Sequence, residues 1–284
     1  MISRVGAQIT ALTKSISLFG FGRGSVAYAT RLAHRLIRSA RWTIKQVHVP
    51  SVLHPVFLRP GTSDWNVLEQ VFMSRDYEIG SEKHDRAVRA YYSNLINESK
   101  TPVIIDCGAN IGISAIWFAR EFPRATIFAV EPEPGNFAIL CRNSSQYPNI
   151  KPVPAGISDR ATKVSLKNVG DAPWTWETKE SESGNVETVT IPGLLSRTPD
   201  SRPLIVKIDI EGGEVDLFRS NIDWVEQTPL VVFEEHDRLF NWRGTGHAIF
   251  SALTKHPRDY LRRGENTFSF SHSLLVRASR PEPV

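Results

Sequence analysis

At 284 residues, 41% hydrophobic and 23% charged, the chain has enough apolar material for one sizeable core with a smaller appendage. It carries no low-complexity tract or internal repeat. The two cysteines, Cys107 and Cys141, give no disulfide framework, which excludes a disulfide-stapled secreted scaffold. No apolar run is long enough to span a bilayer.

Both cysteines are expected as small core residues, which fits a reducing compartment and a cytoplasmic location. A weakly apolar stretch, Ile16 to Gly22, precedes Ala27-Tyr28-Ala29, but Arg23 interrupts it and secretion is not expected. The net charge of +4 is unevenly placed: Met1 to Ser63 holds nine Lys or Arg and no Asp or Glu.

Residues 1–56 read as a basic helical extension and 57–284 as the main domain. From Ala29 to Lys45, Arg31, Arg35, Arg38, Arg41 and Lys45 share one helical face, with Leu32, Leu36, Ile37 and Ile44 opposite. Such a helix either lies on an anionic membrane surface, a peripheral contact through residues 29–45, or docks on the main domain with its charges in water. No nucleic-acid partner is expected, because no interleaved aromatic pattern accompanies the charges.

Val47 to Leu58 reads as extended, broken by Pro50 and Pro55. Ser63 is expected to cap a helix whose apolar stripe is Trp65, Leu68, Val71 and Phe72. A second helix is expected from Glu82 to Ile96, burying Val88, Tyr91, Tyr92, Leu95 and Ile96.

Val103 to Ile105 is an apolar run typical of a strand buried on both faces. Asp106 follows, then a turn punctuated by Gly108 and Gly112, then a helical run from Ile113 to Phe122. Strand, tight turn and helix open a nucleotide-binding βαβ unit. A dinucleotide fingerprint would place a second glycine where Asn110 stands, and Asp106 would repel a pyrophosphate. A ligand carrying an ammonium and a sulfonium would instead be attracted, which moves the balance from NAD to S-adenosyl-L-methionine. The next strand, Ala125 to Val130, ends in Glu131, placed to accept hydrogen bonds from both ribose hydroxyls of an adenosine. A turn from Pro132 then leads into a helix over Phe137 to Asn143.

A third strand is expected over Ile150 to Ile157, and a β-hairpin insertion over about 160–192. The hairpin's polar loop holds Trp174 and Trp176, which either stack on a sugar ring or pack the hairpin itself. Leu204 to Ile210 and Leu230 to Glu234 complete the core strands, with helices over Glu214 to Arg219 and Gly246 to Lys255. Asp259 to Arg263 and Thr267 to Arg277 close the sheet as an antiparallel hairpin.

Ligands of an open α/β sheet bind beyond the carboxyl ends of its strands. Asp106, Glu131, Asp209, Glu211, Glu234 and His236 all fall there. Asp209, Glu211 or His236 could take the proton of an alcohol acceptor. Lys207 is expected simply to pair with a nearby acid. Asp209, Glu211, Glu234 and His236 are of metal-ligand type but lie on two elements, so no metal is assigned.

Three segments resemble the FkbM family of methyltransferases. They are Ile105-Asp106-Cys107-Gly108-Ala109-Asn110-Ile111-Gly112, Val130-Glu131-Pro132-Glu133-Pro134-Gly135-Asn136-Phe137 and Lys207-Ile208-Asp209-Ile210-Glu211-Gly212-Gly213-Glu214. Leu58 to Trp65 and Gln70-Val71-Phe72 also match, and the resemblance covers roughly residues 57–277. It implies a class I, Rossmann-like methyltransferase: an α/β fold with a seven-stranded, mostly parallel sheet. It implies methyl transfer from S-adenosyl-L-methionine to a hydroxyl, often on a glycan sugar or a secondary metabolite. By motif matching, Asp106, Gly108, Asn110, Gly112, Glu131 and Asn136 would hold the cofactor, and Asp209 and Glu211 would face the transfer site. Gly213 stands where the family often has alanine. The base role of His236 rests on its strand-edge position, not on the resemblance. A small-molecule or glycan acceptor is therefore expected. A nicotinamide oxidoreductase and a non-catalytic glycan- or partner-binding module are the competing readings, and the four carboxylates at the sheet edge weigh against the second.

Overall fold

The computed structural model describes residues 44–168, 176–180 and 184–278, with Thr13 and Ile16 as isolated positions. Expectations for residues 17–43, for Trp174 and for the tail from Ser279 lie outside the described residues. The chain forms two compact units, residues 1–76 and 77–284.

In the first unit, β1 (Lys45–Val47) pairs antiparallel with β2 (Val56–Leu58). Lys45 thus opens a strand instead of closing a helix, because it sits opposite Leu58 in the ladder. Helix α1 (Asp64–Leu68) runs on as a π-helical turn over Glu69–Met73, with Ser74 N–H bonded to the Glu69 carbonyl. Ser63 occupies the N-cap, but its side chain caps nothing. Asp64 organises this end instead. Its buried carboxylate accepts Arg59 N, Nε and Nη2 at 2.7, 3.0 and 2.8 Å. The expected stripe of Trp65, Leu68, Val71 and Phe72 is buried.

The second unit begins with α2 (Glu82–Asn97) and then the βαβ core: β3 (Thr101–Cys107), α3 (Ile113–Glu121), β4 (Thr126–Val130), α4 (Pro134–Ser144) and β5 (Ile150–Val153). The third expected strand divides at its prolines. β5 stays in the main sheet, where an edge strand tolerates Pro152, and β6 (Gly156–Ile157) leaves for another sheet. There it joins β7 (Lys163–Asn168), β8 (Trp176–Glu180) and β9 (Val186–Val189) in the order β6-β9-β7-β8. The insertion is a four-stranded sheet, larger than the expected hairpin, and Trp176 opens one of its strands.

After α5 (Ile191–Leu195) come β10 (Ser201–Ile208), α6 (Glu214–Leu217), α7 (Trp224–Gln227), β11 (Leu230–Glu234) and α8 (Thr245–Leu253). β12 (Arg258–Arg263) and β13 (Asn266–Ser271) form the closing hairpin. Its second arm stops at Ser271, paired with the first residue of β12. Past that point His272 N–H still donates to the Pro257 carbonyl at 3.1 Å, and the chain then turns into α9 (His272–Ala278). Cys107 is buried as expected, whereas Cys141 is exposed on α4, correcting its assignment to the core.

The main sheet has seven strands in the order β12-β13-β11-β10-β3-β4-β5, with only β13 antiparallel to its neighbours. Val103, Ile104 and Ile105 are fully buried, as are Leu204, Val206 and Ile208, because helices cover both faces. From β3 the chain winds outward through β4 to β5, then returns to place β10 on the other side of β3. Strand order therefore reverses between β3 and β10, where an open α/β sheet leaves a crevice for ligands. No helix of the described residues is long and apolar enough to cross a membrane.

Candidate active site

The crevice is an open cleft of about 630 Å³ beyond the strand ends, and its lining includes Gly108, Asn110, Glu131, Asn136, Asp209 and Glu211. Three of its lining side chains are carboxylates, and none is a Lys or Arg.

One flank is set by the turn after β3. Gly108 adopts φ +76°, and a Cβ there would lie 1.8 Å from the Asp209 carbonyl oxygen. Only glycine lets the turns after β3 and β10 approach this closely. Asn110 follows at φ +50° and donates its backbone N–H to Glu131 Oε2 at 2.8 Å. Glu131 Oε1 accepts Glu133 N–H at 3.0 Å and Asn136 Nδ2 at 3.4 Å. Glu133 caps α4 by accepting Asn136 N–H at 2.5 Å, and Pro134 starts the helix. Glu131 is 6% exposed. Burial pushes its pKa up to about 7, against the pull of those hydrogen bonds and of Lys207. The amide oxygen of Asn110 is buried without a partner among the described residues.

The other flank is built on Lys207, which stands directly across the sheet from Asp106 and is 2% exposed. Its ammonium lies 3.1 Å from Asp106 Oδ1 and 3.4 Å from Asp209 Oδ2, and donates to the Gly108 carbonyl at 2.7 Å. Ser114 Oγ donates to Asp106 Oδ2 at 2.6 Å. Burial disfavours the Lys207 charge, but Asp106, Tyr77 and Asp209 hold its pKa well above the usual range. Burial also opposes ionisation of Asp209, yet Lys207 and His236 bring it down to about 2.

His236, two residues past the end of β11, is 2% exposed. Its Nδ1 meets Glu214 Oε1 at 2.6 Å, and its Nε2 lies 3.5 Å from Asp209 Oδ1 and 3.8 Å from Glu234 Oε1. Burial disfavours an imidazolium, but Asp209 and Glu214 outweigh it and raise the pKa to about 10. Burial and the Asp209 charge raise Glu234.

Gly108, Asn110, Glu131, Asn136, Asp209 and Glu211, all singled out in the sequence, line the cleft. Asp106, Gly112 and His236 do not. Asp106 has no exposed surface and spends its carboxylate on Lys207 and Ser114 instead of facing a ligand. Gly112 caps α3 beneath Leu140, whose Cδ1 would sit 2.6 Å from an added Cβ. His236 reaches the cleft through Asp209.

Sequence reasoning missed three residues and part of the role of a fourth, Lys207, which pairs with acids as expected. Lys207 fastens both turns as well as pairing with acids. Glu214 holds the imidazole. Tyr77 lies beside Lys207: burial raises its pKa, as do Asp209, Asp106 and Glu234, while Lys207 opposes them. Trp242 is fully exposed at φ +67°, on the loop that starts at His236. Of these, Lys207 and Glu214, the two ends of one quoted motif, carried a signal. Asp209, Glu234 and His236 bring ligand-type atoms within 4.8 Å of one another, while Glu211 stands apart from that group. Lys207 already supplies Asp209 with a cation.

A family model for the methyltransferase FkbM domain matches residues 106–267, which contain both flanks of this cleft. The chain belongs to the FkbM methyltransferase family. Two curated methyltransferases are similar to it. One is the hexuronic acid methyltransferase AglP of Haloferax volcanii, 27% identical over 136 residues, 47% of this chain and 56% of that protein. The other is the methyltransferase sdnD of Sordaria araneosa, 28% identical over 122 residues, 42% of this chain and 47% of that one. The chain thus spans about half the length of the curated relatives it matches. A precorrin-6y C5,15-methyltransferase from Geobacter metallireducens overlaps 65% of this chain and 87% of its own at 14% identity. The TM-score is 0.34. The seven-stranded, mostly parallel sheet of this chain has the class I, Rossmann-like architecture.

Proposed function

We propose that this FkbM protein is an S-adenosyl-L-methionine-dependent O-methyltransferase that acts on a sugar hydroxyl of a glycan or glycolipid. The observation that carries the cofactor assignment is the charge of the strand ends. Asp106, Asp209, Glu214 and Glu234 are met by Lys207, by His236 and, at Glu234, by Arg238, while the cleft lining holds the carboxylates of Glu131, Asp209 and Glu211 and no Lys or Arg. That surplus fits a cationic ligand and opposes a pyrophosphate. Glu131, held by two backbone amides, keeps acceptor capacity for ribose hydroxyls. Gly108, Asn110 and Asn136 border the same space, and the unpartnered Asn110 oxygen offers a further acceptor. Asp106 contributes through Lys207, which locks the Gly108 turn in place.

When bound, S-adenosyl-L-methionine supplies a methyl group on a sulfonium, a good leaving group. The chain's part is to orient an acceptor hydroxyl and take its proton. Asp209 and Glu211 border the space where that hydroxyl would sit, and His236 receives the proton through the Asp209 side of the cluster. The sugar reading is supported by the relative that methylates a hexuronic acid and by Trp242, an exposed aromatic face on the loop beginning at His236.

The test is calorimetric titration with S-adenosylhomocysteine and with NAD, each with and without EDTA, followed by methyl transfer to oligosaccharides. A hexuronic acid oligosaccharide should accept methyl groups and a matched non-sugar alcohol should not. Binding of NAD in place of S-adenosylhomocysteine would overturn the cofactor assignment. Transfer to the non-sugar alcohol alone would overturn the sugar assignment in favour of a secondary-metabolite acceptor.

A further inference from the structure

Glu214 opens α6 directly after the Gly212-Gly213 turn and has no solvent exposure. One carboxylate oxygen lies 2.6 Å from His236 Nδ1, and the other has no hydrogen-bond partner among the described residues. A buried carboxylate with a single partner is held to that partner, because losing it leaves an uncompensated charge. Nδ1 must carry a proton to bond a carboxylate, so in the neutral ring the lone pair falls on Nε2. Nε2 is the nitrogen facing Asp209, and Asp209 lines the cleft.

The backbone fixes both ends of this contact. Leu239 and Phe240 N–H donate to the His236 carbonyl, each at 2.9 Å. The Phe240 ring packs so closely on Gly212 that a Cβ there would lie 3.0 Å away. The turn carrying Glu214 and the loop carrying His236 are therefore wedged together.

We propose that Glu214 is the positioning residue of His236, fixing the tautomer and ring orientation that turn Nε2 toward Asp209, which borders the space for the acceptor hydroxyl. The inference rests on the base role of His236 proposed above. With the ring deprotonated, the O–H bond of the acceptor breaks as its oxygen gains the methyl carbon, whose bond to sulfur would break to leave a neutral thioether. The proton passes by way of the Asp209 carboxylate to Nε2, and the resulting imidazolium lies between Asp209 and Glu214. Its proton then returns to solvent. Glu214 touches no substrate.

The experiment is NMR of the full chain with ¹⁵N-labelled histidine, with S-adenosylhomocysteine added and no acceptor, using His236→Asn to assign the signals. The wild-type ring should show a strongly downfield Nδ1 proton. Glu214→Gln should abolish that signal and lower the ring's proton affinity about tenfold or more. In methyl-transfer assays the same variant should move the rising, alkaline limb of the kcat profile to lower pH and lower its plateau, with acceptor KM unchanged. Glu214→Asp, which keeps the charge, should restore the Nδ1 signal in part.

A wild-type ring without the downfield Nδ1 proton would overturn the proposal with no variant needed. So would a folded Glu214→Gln protein whose ring titrates as in the wild type. A changed ring with an unmoved pH limb would overturn the base role of His236, and with it this role of Glu214. Failure of the cofactor reading shows separately, as absent S-adenosylhomocysteine binding.

Discussion

The two flanks of the cleft are held by different physics. On the β3–β4 side, Glu131 is fixed by backbone N–H groups of Asn110 and Glu133, so its geometry follows from the course of two adjacent turns. On the β10–β11 side, Asp209, Glu234 and His236 are placed by side chains reaching across the sheet, with Lys207 and Glu214 as anchors. The first flank suits recognition of a neutral, hydroxyl-rich group by a preorganised acceptor. The second is a charged cluster whose proton can move. That division matches a cofactor side and an acceptor side, and substitutions should separate them.

The largest effect is expected at His236. His236→Asn keeps a donor for the buried Glu214 carboxylate, which His236→Ala would strand. Loss of a general base lowers turnover by about 10²–10⁴-fold. Affinity for S-adenosylhomocysteine, measured by calorimetry, should stay within about twofold of wild type, given ordinary measurement scatter. Normal turnover would clear His236 of the role, and a parallel loss of binding would show that the flanks are not separate.

Next is Lys207→Met, which removes the cation shared by Asp106 and Asp209. Breaking a buried ion pair from one side costs about 3–5 kcal/mol. The expected result is a fall of that size in stability by urea denaturation, with S-adenosylhomocysteine binding weakened because the Gly108 carbonyl loses its donor. A shift in midpoint below about 1 kcal/mol would mean the ammonium holds little together.

These two sites also show what the sequence could and could not reveal. The first flank was legible because everything it needs is local. Val103 to Ile105 gives the strand, Gly108 the turn, and Glu131 the next strand's tip, all within one βαβ unit. The second flank depends on which strand lies beside which. Lys207 faces Asp106 only because the chain returns from the insertion to place β10 against β3, and nothing near Lys207 announces that register. Glu214 looked like an ordinary first-turn acid of a helix. Its burial depends on a loop that begins at His236. The extended reading of residues 272–277 failed for a related reason. Leu274, Leu275 and Val276 are a plausible strand, but the sheet has no partner left to pair with them. Trp242 carries no periodicity at all, so pattern reading passes over it.

A smaller effect sharpens the cofactor flank. Glu131 binds hydroxyl donors best when ionised, and burial has raised its pKa to about 7 in the free protein. Affinity for S-adenosylhomocysteine should therefore be constant above that pH. Below it, affinity should weaken by up to about tenfold per pH unit, because binding then requires loss of a proton. Glu131→Gln should weaken binding about 10- to 100-fold, as expected for hydrogen bonds to a charged group, and should flatten the pH dependence. A pH-independent wild type would mean that another group receives the ribose.

The smallest effect tests how far the acceptor side extends. The Trp242 indole is fully exposed at positive φ, an unusual backbone state for a bulky side chain. Its loop is pinned on one side by Phe240 and on the other by Asp237, whose Oδ1 accepts Thr245 Oγ1 at 2.6 Å and Gly246 N–H at 3.2 Å. An aromatic face held out from a fixed loop is suited to stacking on a sugar ring, worth roughly 0.5–1.5 kcal/mol. Trp242→Ala should then raise the acceptor KM by about two- to tenfold with little change in kcat, the signature of lost uniform binding. Trp242→Phe should recover part of it. Because the side chain is solvent-exposed, stability should not change, so a rise in KM would reflect acceptor contact and not damage to the fold. An unchanged KM for every oligosaccharide that accepts methyl groups would confine acceptor recognition to Asp209, Glu211 and the walls of the cleft.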